Sequence, residues 1–172
     1  MSKKLFLLPA LFLSAMIMFA PACGDKCGKK DCGNGICDEV DGSCNCDPGY
    51  EYDADGSCKV LTQDKYVHIF TVSENCSATP YLAEIVRGSG VTDVLIKNVW
   101  DVFQNSVKAT IDGNTITIGR QEPDNDGFFV EGSGTYSVNT GGKGVITLNY
   151  TVKDENVPST GNTSCTATYT QQ

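Results

Sequence analysis

Sulfur is the first chemistry the sequence offers. Nine cysteines occur in 172 residues, and six of them, Cys27, Cys32, Cys37, Cys44, Cys46 and Cys58, are separated by four, four, six, one and eleven residues. Thiols at that density either build a disulfide framework or chelate zinc, and the two uses favour opposite redox compartments. Zinc knots often add imidazoles, whereas the one histidine, His68, stands outside the cluster. Disulfides are therefore the expected use. Cys76 and Cys165 sit far apart in the remaining chain, which leaves Cys23 over. An unpaired thiol in an oxidising compartment is a liability, and a thioether to lipid would remove it.

Other reactive groups lack the spacing their chemistry requires. A serine hydrolase would need its nucleophile near His68, but Gly88-Ser89-Gly90 and Gly132-Ser133-Gly134 lack the flanks of G-x-S-x-G. His68 reads instead as a residue in the middle of the first strand of a barrel wall. Asp124-Asn125-Asp126-Gly127 opens like a calcium loop without its closing glutamate and reads as a hairpin turn. Glu84, Asp93 and Glu131 fall on predicted strands, yet paired-carboxylate glycoside hydrolysis needs a cleft that a small barrel barely provides. Neither catalytic residues nor a metal or cofactor is expected.

An apolar content of 40% supports one modest core plus a smaller module. The net charge is −8, and cleavage after residue 22 would remove two lysines, leaving −10. Such a surface repels nucleic acid, and no run of Lys or Arg follows Lys30, so no nucleic-acid partner is expected.

Residues 1–22 read as an export signal. Lys3 and Lys4 precede an apolar stretch from Leu5 to Phe19, which is too short for a bilayer needing roughly 20 residues. Ala20-Pro21-Ala22-Cys23 resembles the lipobox of bacterial lipoproteins, and the resemblance implies a lipid-bearing Cys23 and a membrane partner. Ala-x-Ala would equally suit ordinary signal peptidase, which would give a soluble periplasmic or secreted form. Lipidation at Cys23, with residues 23–26 as a tether, is the expectation adopted, because it accounts for the ninth cysteine.

The segment 27–58 resembles an EGF-like domain. The likeness rests on the six-cysteine spacing, on Asn34-Gly35 before the third cysteine, on the one-residue gap Cys44-Asn45-Cys46, and on Gly49-Tyr50. It implies Cys27 with Cys37, Cys32 with Cys44, and Cys46 with Cys58. Calcium binding would require an acidic cluster ahead of the first cysteine. Only Asp25 is there, so Asp38, Asp41, Asp53 and Asp55 read as turn residues.

Residues 59–65 form a short polar linker without Pro or Gly. Beyond it, runs of β-branched and aromatic residues bounded by turn signals predict strands near 66–73, 81–88, 91–98, 106–112, 115–120, 128–137, 143–153 and 164–171. Ile146, Leu148, Tyr150 and Val152 alternate with Thr147, Asn149 and Thr151, the signature of a strand buried on one face. Cys76 follows the first strand and Cys165 opens the last. If they pair, the eight-stranded meander closes on itself.

The half from 66 to 172 is similar to the lipocalin-like domains of small bacterial lipoproteins, on its strand pattern, on Gly-Ser-Gly-Thr-Tyr at 132–136 and on the Cys-Thr-Ala-Thr-Tyr ending. The likeness implies an antiparallel up-and-down barrel, with a two-sheet sandwich as the rival. Trp100 and Phe103 crowd the connection from Asn98 to Asn105, either to cap the barrel or to form a binding lip. The chain is thus expected to be a non-enzymatic, lipid-anchored cell-envelope protein, probing an unidentified protein or surface through its loops. The alternative is a carrier holding a small apolar molecule inside the barrel.

Overall fold

The computed structural model describes residues 26–157 and 162–172. The expected export signal and Cys23 lie outside the described residues.

A segment as small as 27–58 has too few apolar side chains for a core, so sulfur takes their place. Two antiparallel ribbons form, β1 (Gly35–Cys37) with β2 (Cys44–Cys46) and β3 (Tyr50–Tyr52) with β4 (Cys58–Leu61). Bridges join Cys27 to Cys37, Cys32 to Cys44 and Cys46 to Cys58 across Cα separations of 5.9, 5.5 and 5.2 Å. Cys32, Cys44 and Cys58 are the buried centre, and Tyr50 packs against them.

The larger half is an all-β closed barrel of eight antiparallel strands. They are β5 (Ile69–Glu74), β6 (Tyr81–Arg87), β7 (Asp93–Lys97), β8 (Val107–Asp112), β9 (Thr115–Gln121), β10 (Phe128–Val138), β11 (Gly144–Asp154) and β12 (Thr163–Gln171). Each pairs with its neighbour in sequence, and β12 returns to β5 over Ala167↔Glu74 to Gln171↔Phe70. The up-and-down barrel expected from the alternation is therefore present, and a sandwich is not. Cys76 and Cys165 are bridged beside this closing pair, with 89 residues of separation. Four bridges are the mark of an oxidising, extracytoplasmic environment.

The first barrel strand starts later than its composition predicted, at Ile69 rather than at 66. Tyr66 leaves the strand pattern because its ring, wholly buried, fills the near mouth of the barrel. Its hydroxyl donates to the Gly113 carbonyl at 3.1 Å and its ring leans on Tyr136. His68 consequently lies ahead of the strand rather than in its middle, edge-on to Phe70. Ahead of it, Lys59–Leu61 belong to β4 and Thr62–Lys65 form a 3-10 turn.

Inward positions carry large side chains throughout: Phe70, Ile85, Ile96, Ile116, Ile118, Ile146, Leu148 and Tyr169 are all essentially without solvent contact. Their bulk demands that β10 approach β11 closely somewhere, and Gly132 and Gly134 allow it. A Cβ on Gly134 would come within 2.5 Å of the Thr147 carbonyl oxygen and 2.9 Å of the Leu148 Cα. Opposite them β9 carries one extra residue, since Val130 faces Gln121 while Gly132 faces Ile118. That bulge bends the wall as closure requires.

Replacing Cys76 and Cys165 together by serine should lower unfolding stability by about 4 kcal/mol, on the loop-entropy account of a bridge this long. Urea unfolding under non-reducing conditions measures it. A loss under about 1 kcal/mol would mean that strand pairing alone holds the closure.

Candidate functional site

Four connections meet at the far mouth, opposite Tyr66: 75–80, 98–106, 122–127 and the one that leaves β11 at 155–157. The 98–106 loop covers the opening. Asn98, Trp100 and Asp101 all adopt left-handed backbone (φ 58°, 61° and 52°), a costly conformation for residues with a Cβ, so neighbouring contacts must hold it. The Asn98 carboxamide donates to the Leu82 carbonyl at 2.8 Å. The Asp124 carboxylate accepts the N–H groups of Gln104 and Asn105 at 2.9 and 2.8 Å. The segment 124–127 is the turn between β9 and β10, and its first aspartate is spent on that clamp.

Phe103 is only 3% exposed and belongs to the core, so it plugs the mouth and forms no lip. Trp100 is half-buried, tilted against Phe103 and Phe128 at ring distances of 6.2 and 6.4 Å. Of the loop's large apolar residues, it is Val102 that faces solvent.

Beneath this cap lies a polar cluster that sequence pattern did not reveal. The Trp100 N–H donates to the Tyr81 hydroxyl at 3.1 Å. Tyr81 and Tyr150 in turn donate to Glu74 Oε2 at 3.0 and 2.6 Å. Glu74 is the last residue of β5 and points inward beside Tyr169. Its other oxygen and the Tyr169 hydroxyl are buried without hydrogen-bond partners among the described residues. Burial pushes the Tyr81, Tyr150 and Tyr169 hydroxyls far above the ordinary phenol range, and hydrogen bonding to or proximity to Glu74 adds to the rise. These phenols are locked in the neutral, donating form, which suits holding a carboxyl group and not transferring a proton.

The remaining groups that could have done hydrolytic chemistry are not brought together. Ser89 donates to Asp93 in the β6–β7 turn, Ser133 is exposed on β10, and Glu84 pairs with Lys97 at 2.7 Å on the outer wall. Their separation follows from their strands.

An open groove of about 650 Å³ runs along the outside of the wall, over β7 to β9. It exists because β8 and β9 pair only from Thr110↔Thr117 to Asp112↔Thr115 and then part at the bulge. The Gln121 carboxamide bridges the gap. It accepts from the Lys108 N–H at 2.8 Å and donates to the Lys108 carbonyl at 2.7 Å, as a paired strand residue would. Leu95, Thr110, Thr117 and Gly119 line the groove, with Lys108 and Arg120 at its edge. Arg120 stacks on Phe129 at 3.9 Å and pairs with Glu155 at 2.5 Å.

The chain matches no protein-family model and no curated protein.

Two substitutions separate the members of the polar cluster. Tyr150→Phe should cost about 2 kcal/mol, because a buried carboxylate oxygen loses a charge-assisted donor. Tyr169→Phe should cost nothing or stabilise slightly, because that hydroxyl is desolvated without a partner. Chemical denaturation reads both, and a larger loss for Tyr169→Phe would contradict the assignment.

Alkali gives an independent reading. Tyr66, Tyr81, Tyr150 and Tyr169 keep their protons in the folded state above the ordinary pKa of 10.0, while the unfolded chain releases them there. Their contribution is complete below pH 10 and falls as pH rises through the window up to the folded values, by roughly 1.4 kcal/mol per pH unit per tyrosine. Tyrosinate absorbance near 295 nm from these four should emerge only together with unfolding; a gradual rise in a protein still folded by circular dichroism would refute their burial.

Proposed function

We propose that the protein is a lipid-anchored, non-enzymatic module of the bacterial cell envelope. In it the EGF-like knot serves as a short stalk and the barrel presents an outer wall and loops for recognition of a protein or surface. The observation that carries this reading is where space lies. The barrel interior is occupied by side chains from Tyr66 at one mouth to Phe103 at the other, while a groove of about 650 Å³ opens on the outside, between β7 and β9. A carrier of apolar molecules has the reverse arrangement, an empty interior with a passable mouth. The closed polar cluster at Glu74 supports the same reading, since an apolar guest would have to leave buried phenols and a carboxylate unpaired.

The anchor is supported by the Ala20-Pro21-Ala22-Cys23 segment and by arithmetic: eight cysteines are bridged, and Cys23 is the ninth. An outer-membrane position is the natural one for such an anchor on a chain that needs an oxidising compartment. Several acyl chains are required for firm retention, because a single chain binds only marginally.

Native mass spectrometry of the chain extracted from bacterial envelopes tests both halves of the reading. The expected species begins at Cys23, carries acyl groups and four disulfides, and holds no further apolar molecule. Cys23→Ser should move the protein from the membrane to the soluble fraction. An unmodified N-terminus would remove the anchor, and a stoichiometric apolar guest released on unfolding would favour the carrier.

A further inference from the structure

The knot carries the two most exposed large apolar side chains among the described residues, Val40 at 82% and Ile36 at 73%. Isolated exposed aliphatics are ordinary on a protein surface. What distinguishes Val40 is its position beside residues 26–30. Lys26 Nζ donates to the Val40 carbonyl at 2.7 Å, and Lys30 Nζ donates to the Gly42 carbonyl at 2.6 Å, so the 38–43 turn is stitched to residues 26–30. The Cys27–Cys37 bridge ties the end of β1 to the same segment, and Ile36, one residue before Cys37 in that strand, turns to the opposite face of the ribbon.

From this placement, and resting on the lipidation of Cys23 proposed above, we infer that the face formed by Val40, Lys26 and Lys30 lies on the lipid surface. Only Gly24 and Asp25 separate Cys23 from Lys26, and three extended Cα–Cα steps reach about 11 Å at most. Acyl chains in the bilayer therefore hold Lys26 at the headgroup layer, and whatever is stitched to Lys26 comes with it. A contact held so close needs little affinity of its own, since the tether makes it intramolecular.

The charges on the face decide how it docks. Lys26, Lys29 and Lys30 are opposed by Asp38, Glu39 and Asp41, so the face is close to neutral. Asp38 and Asp41 turn their carboxylates onto the N–H groups of Val40 and Ser43, at 2.8 and 2.7 Å, which leaves Val40 projecting between them. Docking is accordingly carried by the Val40 side chain entering the interface, with lysine stems lying along it. It does not require anionic lipid. The knot's contacts to the barrel come from its other ribbon, at Gly49 and Glu51, so the docking face and the barrel joint do not compete.

Val40→Trp in the full lipidated chain, reconstituted in phosphatidylcholine vesicles carrying a nitroxide on the acyl chain near the headgroup, reads the contact. Trp100 is the only native tryptophan and serves as the internal reference at the far mouth. The expected result is quenching of the introduced indole several-fold stronger than that of Trp100, and weaker quenching for Ile36→Trp, whose side chain faces the other way. Lipidated, vesicle-bound protein with the Val40→Trp indole unquenched would overturn the docking while leaving the anchor intact. An indole shielded from water yet unquenched would assign the face to a protein partner and also overturn it. Protein whose Cys23 carries no lipid and which stays off the vesicles would defeat the anchor, and the docking with it.

Discussion

The pairing of β12 with β5 is the contact on which the rest of the larger half depends. Every other strand pair joins neighbours in sequence, and only this one closes the sheet. Without it, β5 and β12 would expose edges, and the inward rings of Phe70 and Tyr169, which meet at 6.1 Å, would lose a wall. The Cys76–Cys165 bridge is placed beside this pair, where a constraint on the unfolded chain is worth most. Closure in turn brings Glu74 of β5 under Tyr150 of β11, so the polar cluster at the far mouth is a product of the same pairing.

The near mouth is organised by one buried polar side chain. Gln63, 3% exposed, donates to the carbonyls of Gly90 and Asp93 at 2.7 and 2.6 Å and accepts from Arg87 at 3.0 Å. All of the hydrogen bonds it needs are made within the β6–β7 turn, which offsets the cost of burying an amide. On the other side of the 3-10 turn, the Thr62 N–H donates to the Gly49 carbonyl, and Gly49 itself, at φ 89°, packs so tightly on Val91 that a Cβ would come within 2.9 Å of it. Lys65 ties Glu51 of β3 to Asn114 of the β8–β9 turn.

The fold was legible where period-two alternation was clean. In β11 the apolar residues Ile146, Leu148, Tyr150 and Val152 face inward as their spacing demanded, and in β12 Cys165, Ala167 and Tyr169 do the same. The pairing of the six clustered cysteines was legible only as what the EGF-like resemblance implies, since spacing by itself leaves about fifteen pairings open. What pattern did not carry was the burial of polar side chains. Nothing local marks Gln63 as inward, and although Glu74 shares the spacing of Phe70 and Val72, its partner Tyr150 lies 76 residues away. Tyr66 likewise fits a strand by composition, and only the shape of the mouth makes it a plug. The groove over β7 to β9 was hidden for a similar reason: the parting of β8 from β9 and its repair by Gln121 depend on register.

The joint at Gln63 also fixes direction. A linker of seven flexible residues would let the two halves swivel, and any partner at the far loops would meet the barrel at every tilt. With Thr62 and Gln63 buried and hydrogen-bonded on both sides, the angle between the halves is set once, when the chain folds. Torque applied at the knot is then felt at the mouth capped by Trp100, as along a post set in its socket.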